Sequence, residues 1–174
     1  MMSLDTDAGR LMVVRAGVAD YGAVMAILRE AADWLSARGI QQWFHWYMDF
    51  GEHMLRERLE DHEVYLFLLD NSPSGTLTIQ WSDPEVWAER GIDGQAGYIH
   101  GMAIVRSAGG MRVGERILEW AVATIAARGL RFARLDAMAS NTALCRYYEH
   151  RGFRPIGTAL LPGIFTTQLF EREL

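Results

Sequence analysis

Three short segments carry side chains able to do chemistry. In Gly109-Gly110-Met111-Arg112-Val113-Gly114, glycines give an approachable backbone directly ahead of a helical pattern. A helix N-terminus offers unpaired N–H groups at the positive end of its dipole, so this junction suits a phosphate, with Arg112 and Arg116 able to add charge. The glycine spacing is not that of the dinucleotide fingerprint, and Gly-Gly before a helix also serves as a plain tight turn. The second segment runs from Asn141 to Phe153 and contains a potential helix cap (Asn141), a thiol (Cys145) and a phenol (Tyr148). Cys145 has no His or Asp partner in view and reads as an inert thiol. The third holds His100, within Tyr98–Val105. An imidazole titrates near neutrality and could take up a proton there, or could be a buried, hydrogen-bonded strand histidine. Asp136 is a weaker candidate for the same task. The five histidines show no HExxH spacing, and one cysteine makes no zinc set of the usual kind, so no metal is expected.

The elements that must position these groups follow from periodicity. An apolar run, Leu11 to Val14, reads as a first strand. Asp20 can cap a helix with Val24, Ile27, Leu28, Ala31, Trp34 and Leu35 three and four apart, stopped by Gly39. The aromatic stretch Gln41 to Tyr47 has no clean period, and a second helix covers Glu52 to Glu60. Val64–Leu69 and Thr76–Trp81 read as a hairpin around residues 71–75, and Ser82–Gln95 as a loop. Then come a strand (Tyr98–Val105), a helix (about Val113–Arg128, with Val113, Ile117, Ala121 and Ile125 on one stripe) and a strand (Phe132–Met138). Strand, glycine turn, helix, strand is a βαβ unit, which makes these two strands parallel. A helix over Asn141–Arg151 and strands over about Phe153–Leu160 and Phe165–Glu171 complete a single α/β domain with no linker or repeat.

Composition narrows the function. All 17 basic residues are arginine, so both the Walker phosphate loop and the pyridoxal Schiff base, which need lysine, are excluded. The formal charge of −5 divides unevenly: residues 1–90 hold 15 acids and 7 arginines, whereas residues 91–174 hold 7 acids and 10 arginines. Such asymmetry suits two ligands of opposite sign, or is ordinary surface variation. One cysteine fits a reducing cytoplasm. No apolar run reaches a membrane span, the first ten residues lack a signal peptide's pattern, and the arginines do not cluster as for nucleic acid.

The segments Tyr98–Val105, Val105–Leu118 and Asn141…Tyr148…Gly152-Phe153, in this order and spacing, resemble the GNAT superfamily of acyl-CoA-dependent N-acetyltransferases. The N-terminal order of strand, helices and hairpin extends the likeness to nearly the whole chain. It departs in one place. The family's loop reads Arg/Gln-x-x-Gly-x-Gly/Ala, whereas here Gly109 and Arg112 occupy the first two of those positions and only Gly114 keeps the pattern. Arg112 is tolerable at the middle position provided its φ is negative.

The resemblance implies a single domain over residues 1–174, with an ordered core of about 11–172. Its fold would be α/β (α+β by some schemes), a mixed, mostly antiparallel sheet with a central splayed parallel strand pair and about four flanking helices. It implies acetyl-CoA as cosubstrate, held by Met102, Ala103, Ile104, Gly109, Gly110, Met111, Arg112, Val113, Gly114 and Asn141. Tyr148 matches the acid that protonates the leaving thiolate. His100 lies where many relatives carry a glutamate base, two residues before Met102. Tyr147, about 100° away on the helix, is expected in the core. The acceptor would be a primary amine of a small molecule or peptide, attacking directly in a ternary complex. Trp34 and Trp43 are candidates to touch it, in an aromatic wall that also includes Phe44, Trp46 and Tyr47, with Asp33, Asp49 and Glu52 attracting its charge, and Trp81 with the Ser82–Gln95 loop is the candidate for the other rim. A homodimer through edge strands near the C-terminus is a further expectation. The alternatives are a non-catalytic acyl-CoA sensor on the same scaffold and, last, a plain interaction protein.

Overall fold

Residues 2–6, 9–40, 42–43, 49–160 and 166–174 are described by a computed structural model. The elements are β1 (Met2–Thr6), β2 (Gly9–Arg15), α1 (Tyr21–Ser36), α2 (Asp49–Asp61), β3 (Glu63–Leu69), β4 (Ser72–Gln80), α3 (Pro84–Trp87), β5 (Ala96–Ile104), α4 (Val113–Ala126), β6 (Phe132–Met138), α5 (Thr142–His150), β7 (Arg154–Leu160) and β8 (Thr166–Glu173). The strands form one mixed sheet in the order β1-β2-β3-β4-β5-β6-β8-β7. It is mostly antiparallel. β5 and β6 are the parallel pair the βαβ pattern called for, in register from Ala96↔Phe132 to Ile99↔Leu135.

Three elements differ from the sequence expectation: α3, which lies in the stretch 82–95 read as a loop, β1, and the β3–β4 hairpin. β1 precedes the first expected strand and pairs with β2 (Leu4↔Leu11); as a polar edge strand it leaves almost no apolar signature. The β3–β4 hairpin turns on Asp70 and Asn71, with φ of 48° and 68°, instead of on residues 71–75. Asx residues tolerate the left-handed region that a two-residue hairpin turn demands, so Pro73 and Gly75 join the strand.

By backbone proximity the chain forms two compact units, Met1–Thr78 with Gly101–Trp120, and Ile79–His100 with Ala121–Leu174. In the first, the apolar faces of α1 (Val24, Met25, Ile27, Leu28, Ala32) and α2 (Leu55, Leu59) pack with Val64, Leu66 and Ala103. Arg29 adds a 2.9 Å ion pair to Glu52, joining the two helices. The Trp120 ring lies edge-on to Tyr65 and Phe67. In the second unit the core includes Trp87, Ala96, Tyr98 and Leu169.

The stripe of α4 is fully buried, as its spacing required: Val113, Ile117, Ala121 and Ile125 expose nothing. Two glycines make room for it. A Cβ at Gly75 would lie 2.5 Å from Ile117 Cδ1, and one at Gly97 would lie 2.7 Å from Ile125 Cγ1. Gly97→Ala is therefore expected to destabilise the fold by about 1–3 kcal/mol through overpacking. Gly22→Ala, at an open position in α1, should instead raise stability by up to about 1 kcal/mol. Thermal melts of the two variants should move in opposite directions.

Candidate active site

In the second unit, His100 stands between two carboxylates brought from different elements. Its Nε2 lies 3.2 Å from Asp83 Oδ2 and its Nδ1 lies 3.8 Å from Asp136 Oδ1, with the His100 and Asp83 side chains 11% and 6% exposed. Asp136 is held by β6 and accepts a 2.7 Å hydrogen bond from Thr167 Oγ1 on β8. Asp83 is held by the start of α3, where its Oδ1 accepts from the Val86 N–H and Pro84 occupies the first helical turn. Its own N–H donates to the Gly91 carbonyl at 2.9 Å. A Cβ at Gly91 would overlap the Asp83 carbonyl, so only glycine lets these two backbones meet. Sequence reasoning missed Asp83 because Ser82–Gln95 read as loop. The Asp-Pro pair, a helix cap followed by the residue favoured just inside a helix, was the available signal.

A buried arginine anchors the chain that follows α3. Arg134, 3% exposed, donates to Glu171 Oε2 (2.8 Å) and the Arg90 carbonyl (2.6 Å), and pairs with Asp93 Oδ2 (2.9 Å). It also donates to the Tyr98 hydroxyl at 2.9 Å and lies against the rings of Trp87, Tyr98 and Phe132. Burial works against its charge, yet the hydrogen bonds to Glu171 and Asp93 outweigh that and raise its pKa. Burial raises the Tyr98 phenol despite the opposing pull of Arg134.

α5 carries the second set of groups. Asn141 caps it: its buried side chain accepts from the Leu144 N–H at 3.3 Å, which is the capping role left open in the sequence. Tyr148, not Tyr147, is the core residue of the pair. Its ring packs on Phe153 and Phe170 and meets Tyr147 edge-on, while Tyr147 stays half-buried. Burial, chiefly, pushes the Tyr148 phenol well above its ordinary value, with Tyr147 and the Asp136 charge adding to it. It is a protonated hydroxyl throughout the neutral range. Burial, then Glu149, raises the Cys145 thiol, as expected of an inert side chain.

In the first unit, Met102, Ala103 and Ile104 form the end of β5, just beyond a backbone kink at Gly101 (φ +57°). Val105 N–H donates to the Ser74 carbonyl, and Arg106 N–H to Glu30. The Ala108 and Gly109 amides close a 3₁₀ turn onto Val105 and Arg106. Residues 110–114 follow and lead into the first turn of α4, where a helix presents N–H groups that a ligand can meet. Gly110 has φ +78° and Arg112 has φ +58°. The condition of a negative φ at Arg112 is thus not met: the backbone has the glycine-like left-handed turn and places a non-glycine in it. The guanidinium grips Glu115 of the next turn with two hydrogen bonds of 3.0 and 2.9 Å.

Trp34 on α1 lies beneath two guanidinium groups, Arg38 at 3.9 Å and Arg106 at 4.4 Å from its ring. Trp43 packs against the first unit's core, and Trp81, in the second unit, is covered by Arg128 at 3.8 Å. Phe44, Trp46 and Tyr47 lie outside the described residues, as does Phe165, the expected start of the last strand. Among the described residues no group of three or more His, Cys, Asp or Glu side chains is arranged to hold a metal ion, and no helix is long and apolar enough to cross a membrane.

Residues 23–153 match the family model of the GNAT acetyltransferases. The chain is 28% identical over 160 residues, 89% of its length and 86% of the relative's, to an uncharacterized N-acetyltransferase, YesJ, of Bacillus subtilis. Its fold matches a GNAT-family acetyltransferase from Listeria monocytogenes with a TM-score of 0.82 at 24% identity, over 99% of this chain and all of that one. It also matches the PaiA N-acetyltransferase of Thermoplasma acidophilum, solved in complex with coenzyme A, with a TM-score of 0.69 at 13% identity, covering 94% and 99% of the two chains. Sheet order, parallel strand pair and sequence match agree: the chain belongs to the GNAT family of acetyltransferases, and its chemistry is acyl transfer.

Proposed function

We propose that this protein transfers acetyl from acetyl-CoA to a primary amine of a small molecule or peptide, by direct attack in a ternary complex. The observation that carries this reading is the His100 ring set between Asp83 and Asp136 in a chain whose family transfers acetyl groups. An amine attacks a thioester only when neutral, so an ammonium must first give up a proton, and a histidine flanked by carboxylates is built to receive one. The attack forms the C–N bond and expels the thiolate, to which Tyr148 donates its hydroxyl proton. A backbone N–H at the end of β5 is the candidate oxyanion donor.

The residues of the first unit fit the cosubstrate. The left-handed turn at Gly110 and Arg112 feeds a 14-residue helix, α4, whose first N–H groups suit pyrophosphate. Met102, Ala103 and Ile104 would pair with the pantetheine chain as a third strand would, and the remaining loop residues, Gly109, Met111, Val113 and Gly114, would line the phosphates. Asn141 would support the site from the cap of α5. That a relative of the same fold was solved with coenzyme A supports the choice of donor. Trp34, Trp43 and Trp81 are the candidates for acceptor contact; the arginines already stacked on Trp34 and Trp81 make Trp43 the foremost of the three. The reading extends to a single functional domain, a cytoplasmic location and a homodimer through the C-terminal edge of the sheet.

Free thiol released from acetyl-CoA, measured across a panel of polyamines, amino acids, aminoglycosides and peptides, tests the proposal. Release that depends on one class of amine is the expected outcome. Tight acetyl-CoA binding without thiol release from any acceptor would instead identify a sensor.

A further inference from the structure

The geometry points to Asp83 as the residue that sets the tautomer of His100. The inference rests on the reading of His100 as the proton acceptor and adds which nitrogen accepts. His100 Nε2 and Asp83 Oδ2 are both buried, lie 3.2 Å apart off hydrogen-bond alignment, and have no other hydrogen-bond partner. Two buried polar atoms left unpaired are costly, and a proton on Nε2, brought into line by a small ring rotation, satisfies both. Asp83 cannot turn away, because its other oxygen caps α3 on the Val86 N–H and its backbone is pinned to Gly91. The lone pair of the neutral ring is then on Nδ1, the nitrogen that faces Asp136 at the longer distance of 3.8 Å.

The proton path follows. The amine's proton moves to Nδ1, and the ring becomes an imidazolium whose Nε2–H faces Asp83 and whose Nδ1–H faces Asp136. Solvent removes the Nδ1 proton to restore the resting ring. Asp83 touches no substrate, so it is a positioning residue, in the same logical place as the carboxylate that orients the histidine of a hydrolase triad. The Arg134 anchor and Gly91 contact hold the chain on which Asp83 sits.

Asp83→Asn gives a sharp test, because asparagine also caps helices. With its oxygen retained on the Val86 N–H, the side-chain NH2 takes the place of Oδ2 and faces Nε2, which must then accept; the ring proton is forced to Nδ1. Ring-nitrogen chemical shifts of histidine-labelled protein, at a pH where those signals report a neutral ring, should place the proton on Nε2 in the wild type and on Nδ1 in Asp83→Asn. The same variant should lose about 10²–10⁴-fold in kcat with KM for acetyl-CoA little changed. Asp83→Ser keeps the cap and removes only the carboxylate, so it should still fold, at a somewhat lower Tm because Nε2 loses its partner, and still lose kcat.

A wild-type proton on Nδ1, the same tautomer in both proteins, or a kcat within twofold of wild type in Asp83→Asn overturns the proposal. His100→Ala with undiminished kcat would overturn the reading of His100 as the base, while leaving the tautomer result to stand or fall by its spectra.

Discussion

Tyr148→Phe should lower kcat by about 10²–10⁴-fold, the range general acid catalysis supplies, while leaving KM for acetyl-CoA nearly unchanged. The substitution removes one oxygen from a ring that keeps its packing on Phe153 and Phe170, so the fold is preserved and the loss reports chemistry. The direction of the phenol's shift adds a pH signature. Burial raises it above its ordinary value of 10.0, so the acid stays protonated and contributes no falling alkaline limb below about pH 10. A wild-type kcat profile with a limb in that range that vanishes in Tyr148→Phe would contradict the environment described, and an unaltered kcat would remove Tyr148 from the reaction. Stability has a corresponding sign. Above about pH 10 the unfolded chain ionises this tyrosine and the folded chain does not, so folding weakens there as pH rises, and less so in the phenylalanine variant.

Arg134→Ala carries the largest expected cost in stability, about 3–5 kcal/mol, because it leaves two carboxylates without the buried charge they were built around. Glu171 and Asp93 each lie within 3 Å of the guanidinium, and three aromatic rings enclose it. For a chain of this size each kcal/mol corresponds to about 2–4 °C in Tm, so a fall of roughly 6–20 °C is expected. Lysine should rescue little, since one ammonium cannot serve Glu171, Asp93, the Tyr98 hydroxyl and the Arg90 carbonyl from a single point. A Tm within 3 °C of wild type in Arg134→Ala, about 1 kcal/mol on the same scale, would mean the network is incidental.

The central part of the fold was legible because local rules there agree with one another. β6 begins and ends where its pattern does, and Asn141 caps the helix whose start it marked. The four stripe positions of α4 are all buried. What could not be read depends on residues far apart in sequence or on backbone geometry. The partners of Arg134 lie 36 to 44 residues away, so nothing local marks it as a buried strut. Tyr147 and Tyr148 look alike along the helix, and only the placement of Phe153 and Phe170 decides which is enclosed. Arg112 shows the limit of residue type as a guide. A non-glycine at that place in the loop is easily accommodated only with a negative φ, yet the turn imposes the left-handed conformation on a residue that pays about 1–2 kcal/mol for it. Asp83 was hidden because a one-turn helix inside a loop has too few residues to show a period.

The lack of lysine has a consequence for the protein's own integrity. An activated thioester acylates exposed ε-amines, and an acylated lysine loses its charge and with it any ion pair or ring contact it makes. Here every side-chain cation is a guanidinium, including those stacked on Tyr21, Trp34 and Trp81. Such groups are poor nucleophiles and keep their charge. An acetyltransferase so composed offers an acyl thioester no ε-amino group of its own, and its cation–ring contacts are proof against such a reagent.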